Sequence, residues 1–232
     1  MSLFPESYES SRDRFREWEK KVASRWPGAT LQSHAIGDSQ DDLGIDVLLA
    51  PATRKNDHLF LMTTGEHGIE GYVGSAMLEF FLQKFLSGLD PSSTALCLVH
   101  PINPWGMKHR QRTNAQNVDL NRNFIEEWAT LEKRALAYSA FDELLSPRGP
   151  VRHPRMEALS FVVKILKEVL IRGKKAQFKE ALLAGQYSYP RGLYYGGEGP
   201  QPETIVMEQI FRQCFDLCRH IVHIDIERKS VV

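Results

Sequence analysis

Short apolar runs alternate with longer segments of helical periodicity along this chain, and that alternation limits the fold more than any other feature of the sequence. The apolar runs predict four strands, at residues 45–50, 59–64, 95–99 and 220–226. Helices are predicted near residues 7–26, 69–86, 125–145, 155–172, 174–185 and 203–218. Strands that alternate with helices favour an α/β fold, with a mixed central β-sheet flanked by helices. A length of 232 residues suits a single domain, 1–232.

Two connecting segments of the predicted fold have distinct compositions. The polar segment 51–57 predicts a turn between neighbouring strands. Residues 100–124 show no periodicity and are rich in Asn, Pro and Gly, which predicts a long structured loop. Loops of this length inside a compact domain often carry function.

The charge balance and the cysteines limit the classes of partner. Lys and Arg number 29, as do Asp and Glu, so no overall field attracts nucleic acid or an anionic membrane. Three cysteines without a CxxC pair suit reduced thiols rather than a secreted disulfide framework. No segment approaches the roughly 20 apolar residues that span a bilayer. We therefore expect a cytoplasmic protein with neither nucleic acid nor a membrane as its partner.

His67 and Glu70 follow the predicted strand 59–64 and begin the next predicted helix. Residues three apart on a helix share a face, so this imidazole and this carboxylate can reach one ion. A His-x-x-Glu pair also occurs by chance, and two ordinary polar residues are the alternative interpretation. The position of the pair favours a site, because α/β sheets bind ligands at the carboxyl ends of their strands.

Arginines and amides are concentrated in the long predicted loop. Arg112 and Arg122 lie there with Asn103, Asn121 and Asn123. A guanidinium group binds a carboxylate through two hydrogen bonds and also neutralises an oxyanion, so the loop could hold an acidic substrate end beside a metal. The alternative is a loop whose polar side chains satisfy their own backbone.

Several of these motifs, taken in order, resemble the zinc carboxypeptidase superfamily. They are Gly-Glu-His-Gly-Ile-Glu-Gly at 65–71, Asn-Pro-Trp-Gly at 103–106, Arg112, and Val-Asp-Leu-Asn-Arg-Asn-Phe at 118–124. The superfamily includes carboxypeptidase A-like enzymes and aspartoacylase or succinylglutamate desuccinylase-like enzymes. The chain is most similar to a bacterial branch catalogued as a domain of unknown function, which residues 184–188 and 192–197 also match. The resemblance covers about residues 40–226.

This resemblance implies a fold, a cofactor and a reaction. His67 and Glu70 correspond to two of the three protein ligands of one catalytic zinc ion. Arg112 corresponds to the arginine that polarises the scissile carbonyl and stabilises the oxyanion. Asn121 and Arg122 correspond to the pair that binds a substrate carboxylate. The implied activity is hydrolysis of a peptide or N-acyl amino-acid amide bond, with a small peptide or N-acyl amino acid as substrate.

The sequence departs from the family pattern after residue 226. The family has its third zinc ligand, a histidine, two residues after an aspartate, whereas here Glu227 follows Asp225 at that spacing. A carboxylate can also ligate zinc. His223 lies about 13 Å back along the predicted strand, too far to substitute simply. The glutamate that serves the family as general base is not found either.

Residues 227–232 form an aberrant tail relative to the family, and three explanations are open. The chain is a truncated or frameshifted gene product lacking the C-terminal part of the fold, a short variant that uses Glu227, or a protein whose unrelated tail has a non-catalytic role. An open sheet edge at the terminal strand would invite pairing with another chain. We expect a metallocarboxypeptidase-type zinc hydrolase, with a catalytically inactive binding module that keeps the carboxylate-binding loop as the alternative.

Overall fold

The computed structural model describes residues 3–37, 41–128, 138–147, 149, 152–168 and 173–227. The chain divides into two compact units, of which the first comprises Met1–Ala115 with Gln201–Val232 and the second Gln116–Pro200. That residues 1–232 form a single domain stays a prediction.

The first unit contains a five-stranded sheet. Its strands are β1 (Thr30–Ala35), β2 (Gly44–Ala50), β3 (His58–Thr64), β4 (Thr94–His100) and β5 (His220–Ile226). They lie in the order β1-β2-β4-β3-β5. β2 pairs antiparallel with β1 and with β4, whereas β3 pairs parallel with β4 and with β5. The predicted mixed α/β sheet is therefore confirmed, together with all four predicted strands.

Seven α-helices occur within the described residues. They are α1 (Tyr8–Ala23), α2 (Gly71–Lys84), α3 (Pro104–His109), α4 (Asp142–Leu145), α5 (Pro154–Leu166), α6 (Lys175–Leu183) and α7 (Pro202–Leu217). None of these described helices combines the length and the apolar composition that crossing a bilayer requires.

The predicted pairing of the first two apolar strands is wrong, because β4 lies between β2 and β3. The helix α2 connects β3 to β4, and such a strand–helix–strand unit allows the two strands to pair in parallel. The other edge of β4 then accepts β2. The polar segment 51–57 lies alongside the residues that precede β4. Thr53 N donates to Pro91 O over 2.8 Å there.

Two predicted irregular or helical segments also differ in the structure. The loop 100–124 contains the short helix α3, which the amide oxygen of Asn103 caps by accepting from Gly106 N over 2.8 Å. Six residues are too few to show a helical period. Residues 125–128 of the predicted helix 125–145 are not α-helical, and residues 129–137 lie outside the described residues. Residues 138–139 are α-helical, and 142–145 form α4.

A buried apolar cluster holds α1 and α2 against one face of the sheet. Phe15, Trp18 and Val22 of α1 pack with Phe81 of α2 and Leu96 of β4. This is the face of α1 that the spacing of its apolar residues predicts. α7 lies on the opposite face of the sheet, where Cys214 of this helix is a neighbour of Cys97 of β4.

Ion pairs to a buried carboxylate also anchor α1 to the sheet. Arg12 Nε lies 3.0 Å from Asp46 Oδ2, and Arg16 Nε lies 2.8 Å from the same oxygen. The Asp46 side chain is fully buried. Hydrogen bonds from the two arginines hold the pKa of Asp46 below its usual range, against the opposing effect of burial.

The last strand forms one edge of the described sheet. β5 pairs with β3 on one side, with Thr63 opposite Asp225 and Thr64 opposite Ile226. Val222 is 60% exposed and Ile224 is 38% exposed. Apolar side chains are therefore accessible along this edge.

Candidate metal centre

A tight turn at the carboxyl end of β3 carries the candidate metal ligands. Gly65 adopts a φ of +74°, which favours glycine, and a Cβ atom there would lie 2.9 Å from Pro101 Cβ. Gly68 allows a closer approach, since a Cβ there would lie 1.9 Å from the carbonyl carbon of Gly106. The two glycines let the turn lie directly against the start of α3.

Backbone hydrogen bonds hold the same turn. Ile102 N donates to Thr64 O over 3.0 Å, and Asn103 N donates to Gly65 O over 2.9 Å. Further along, Ile69 N donates to Gln111 O over 3.1 Å. The segment that follows β4 thus supports the turn along its length, which restricts the positions of the side chains it carries.

His67 and Glu70 lie side by side within this turn. A one-turn 3₁₀ helix at Gly68–Glu70 begins after His67, and Glu70 N donates to His67 O over 2.9 Å. The imidazole of His67 is fully buried, and its Nδ1 lies 3.4 Å from Glu70 Oε2. The predicted proximity of the two side chains is therefore present.

A second strand end brings Glu227 to the same imidazole. β5 runs parallel to β3, so residues that follow Ile226 emerge beside the turn after Thr64. Glu227 Oε1 lies 2.8 Å from His67 Nδ1, and the Glu227 side chain is 13% exposed. Glu227 thus lies within reach of an ion bound by His67.

Glu66 joins this group, and sequence reasoning missed it. One ligand atom from each of Glu66, His67 and Glu227 lies within 4.8 Å of the others, which makes this the candidate metal-binding group among the described residues. The only sequence signal for Glu66 is its position next to His67 at the end of a strand. The group combines one imidazole with several carboxylates.

The donor atoms fit a divalent metal ion in kind and in spacing. Imidazole nitrogen and carboxylate oxygen are both ordinary zinc ligands, at about 2.0–2.2 Å from the ion. Two ligands at such distances in a tetrahedral site lie roughly 3.3 Å apart, close to the 3.4 Å between His67 and Glu70. The 2.8 Å between His67 and Glu227 is that of a hydrogen bond, so an ion would require a small separation of this pair.

A hydrogen-bonded cluster lies one residue behind the candidate ligands. The Thr63 hydroxyl donates to Asp225 Oδ1 over 2.7 Å and lies 2.9 Å from His223 Nε2. Asp225 is exposed at the sheet edge, and partial desolvation of its carboxylate raises its pKa, to which the charge of Glu227 adds. Burial lowers the pKa of His223. The cluster connects β3 to β5 directly beneath the turn.

Arg112 belongs to the first unit, in the segment that follows α3. Its side chain is exposed, and its carbonyl oxygen accepts a long hydrogen bond of 3.4 Å from Asn103 Nδ2. Asn103 thereby links the cap of α3 to the backbone of Arg112. The role of Arg112 toward an oxyanion stays a prediction.

Asn121 and Arg122 lie in the second unit, in a 3₁₀ turn at Leu120–Arg122. Arg122 donates from one terminal nitrogen to Asn121 O over 3.0 Å and from the other to Leu183 O over 3.1 Å. Its Nε is buried and has no hydrogen-bond partner in the described structure. Both residues line a cavity of about 610 Å³ with Phe124, Glu180 and Tyr187.

Comparisons with known proteins bear on the fold and the family. The model of a family described as "Protein of unknown function (DUF2817)" matches residues 4–228. No curated protein matches the chain in sequence.

Solved structures of carboxypeptidases resemble this fold. Bovine thrombin-activatable fibrinolysis inhibitor, in complex with tick carboxypeptidase inhibitor, matches with a TM-score of 0.50 at 13% identity. The match covers 95% of this chain and 60% of the bovine chain. Carboxypeptidase A from Helicoverpa armigera has a TM-score of 0.41 at 16% identity, and the match covers 100% of this chain and 68% of the Helicoverpa chain. A putative metallopeptidase from Shewanella denitrificans has a TM-score of 0.32 at 24% identity, and the match covers 50% of this chain and 44% of the Shewanella chain.

The match to the bovine structure confirms a metallocarboxypeptidase-like fold. The sequence identities are low, so the likeness concerns the fold alone. The chain spans 60% of the length of the bovine relative and 44% of the length of the Shewanella relative.

Proposed function

The chain belongs to the DUF2817 family of proteins of unknown function, and we propose that it is a zinc-dependent hydrolase of the metallocarboxypeptidase type. Its substrate is a small peptide or an N-acyl amino acid, of which it cleaves an amide bond. The observation that carries this proposal is the convergence of Glu66, His67 and Glu227 at the ends of two parallel strands, with Glu70 3.4 Å from His67. The metallocarboxypeptidase-like fold supports it.

One zinc ion would be held by His67 and Glu70, with Glu227 as the third protein ligand. Such an ion lowers the pKa of a bound water and polarises a carbonyl group, and three protein ligands leave a position open for these groups. Replacement of an imidazole by the Glu227 carboxylate makes the donor set harder than two histidines and one glutamate would be.

The chain's own residues supply the remaining functions. Glu66 lies in the metal-binding group, where its carboxylate would accept a proton. Arg112 would stabilise the oxyanion that forms as the amide is attacked. Asn121 and Arg122, which line one cavity, would bind the substrate carboxylate.

The first experiment measures zinc and hydrolysis in the same preparations. The wild-type chain should bind one zinc ion and cleave N-acylated dipeptides that end in an acidic or apolar residue. His67→Ala should lose both properties. His34→Ala is the matched control, because His34 lies in β1 and outside the metal-binding group.

Two outcomes would contradict the proposal. Equal zinc content in His67→Ala and wild type would remove the metal site. Stoichiometric zinc without hydrolysis, accompanied by peptide binding that needs no metal, would favour the inactive binding module instead. We also propose a cytoplasmic location, supported by three buried and free thiols, Cys97, Cys214 and Cys218.

A further inference from the structure

Two histidines lie next to each other at the amino ends of β3 and β5. His58 and His220 are paired residues in the register of these parallel strands, and their ring centres lie 5.6 Å apart. Six residue steps of about 3.3 Å separate His58 from Thr64, so this pair lies about 20 Å from the end of β3 that carries the candidate metal centre. It is thus a separate place in the first unit.

The two imidazoles are directed to the same face of the sheet and are available to a ligand. Paired residues of neighbouring strands present their side chains on one face. Both histidines are exposed. Within the described part of the chain, neither imidazole takes part in a hydrogen bond or an ion pair, and their contact with each other is the only ring contact that either makes. The fold therefore leaves their nitrogen atoms accessible.

The spacing of the rings fits coordination of one ion by both. A zinc or copper ion lies about 2.0–2.1 Å from an imidazole nitrogen, and so about 3.2 Å from the ring centre. Two imidazoles that coordinate one ion at an angle of 90–120° therefore have ring centres roughly 4.5–5.5 Å apart. The observed 5.6 Å lies just above this range, so the rings would have to approach slightly to share one ion. Both side chains are exposed and can rotate toward a common ion.

We propose that His58 and His220 form a second metal site, which binds a borderline divalent transition ion such as Zn²⁺, Cu²⁺ or Ni²⁺. Neutral imidazole is a preferred ligand for these ions and a poor one for Mg²⁺ or Ca²⁺. Water completes the coordination, because two protein ligands leave positions open. The ion ties the edge strand β5 to β3, at the end of β5 opposite Glu227. This site does not depend on the proposed hydrolase function.

Copper and zinc titrations of the full chain test the second site. In wild type, calorimetry with Zn²⁺ should resolve a site that disappears in His220→Asn and in His58→Asn. Loss of either imidazole converts a chelate into a single ligand, so affinity at this site should fall at least about tenfold. His153→Ala is the matched control, since His153 is an exposed histidine of the second unit.

The test does not depend on the candidate metal centre. In the His67→Ala variant, the electron paramagnetic resonance spectrum of one equivalent of Cu²⁺ should show coupling to two imidazole nitrogens. If that variant fails to fold, the calorimetric comparison in the wild-type background still decides. The proposal is overturned if both asparagine variants bind as many ions as wild type, and as tightly.

Discussion

The hydroxyl of Thr64 lies 2.6 Å from Nδ1 of His100, so a side-chain hydrogen bond joins the last residues of two neighbouring parallel strands. The other ring nitrogen, Nε2, lies 2.6 Å from the Ser11 hydroxyl of α1. The ring is fully buried, and burial lowers the pKa of His100 to about 4. This imidazole is therefore neutral in the folded protein near neutral pH.

The stability of the protein should consequently fall as the pH is lowered from about 6.5 to about 4. In this window the unfolded chain binds a proton at His100 and the folded chain does not, which favours unfolding. The full effect is about 3 kcal/mol. Urea denaturation at several pH values measures it. His100→Gln keeps a donor and an acceptor but cannot titrate, and an equally steep loss of stability in that variant would contradict the assignment.

The buried and the exposed partner of Arg12 should differ in their contribution to stability. Asp46→Asn removes the negative charge of the buried partner of Arg12, so we expect the free energy of unfolding to fall by about 3–5 kcal/mol. Asp42 also pairs with Arg12, over 3.1 Å, but its side chain is 87% exposed. Asp42→Asn should therefore cost less than about 1 kcal/mol. Equal effects in chemical denaturation would show that burial does not decide the strength of these pairs.

The close approach at Gly68 should make it intolerant of a side chain. Gly68→Ala places a methyl group against the backbone of Gly106 and Met107, so we expect a loss of more than about 2 kcal/mol in unfolding free energy. Zinc affinity should fall as well, since the turn must move. Gly88→Ala has open space around the new methyl group and should be nearly neutral. Thermal unfolding and zinc titration of the two variants give the comparison.

Glu227 should contribute directly to zinc affinity. Glu227→Gln removes the charge of the carboxylate that lies 2.8 Å from His67 Nδ1. We expect zinc binding to weaken at least about tenfold in a competition assay with a chromogenic chelator. Glu208→Gln is the control, because Glu208 pairs with Arg212 on the surface of α7. Unchanged zinc affinity in Glu227→Gln would exclude this residue as a ligand.

The exposed edge at β5 should promote self-association. Val222→Lys adds a charge to an edge strand, which disfavours pairing with another chain. We expect the concentration dependence of the sedimentation coefficient to decrease in this variant. Phe215→Lys on α7 alters an equally exposed apolar residue outside the strand. A wild-type chain that stays monomeric at all concentrations would make the edge irrelevant to association.

Much of the secondary structure follows from local patterns, whereas the sheet order does not. The apolar runs of β2, β3, β4 and β5 are visible as such, because buried strands need them. β1 escapes prediction since its residues are half-buried or exposed. The place of β4 between β2 and β3 depends on pairings between distant residues, for which a single sequence holds no signal.

The candidate site divides in the same way. His67 and Glu70 are recognisable because three residues separate them and a strand precedes them. Glu227 becomes a candidate only through the family pattern. Glu66 becomes one only through its distance from His67 and Glu227 in the folded chain. His58 and His220 are 162 positions apart, so parallel strand pairing alone brings them together.

The pairing of β3 with β5 also affects how the protein can be synthesised. It joins residues such as Thr63 and His223, which are 160 positions apart. At about 5–20 residues per second, a nascent chain would expose the unpaired edge of β3 for roughly ten seconds or more before its partner leaves the ribosome. During that time Glu66 and His67, which follow β3, lack Glu227, the third member of the metal-binding group. Chaperones that shield an open strand edge should therefore raise the yield of correctly assembled protein.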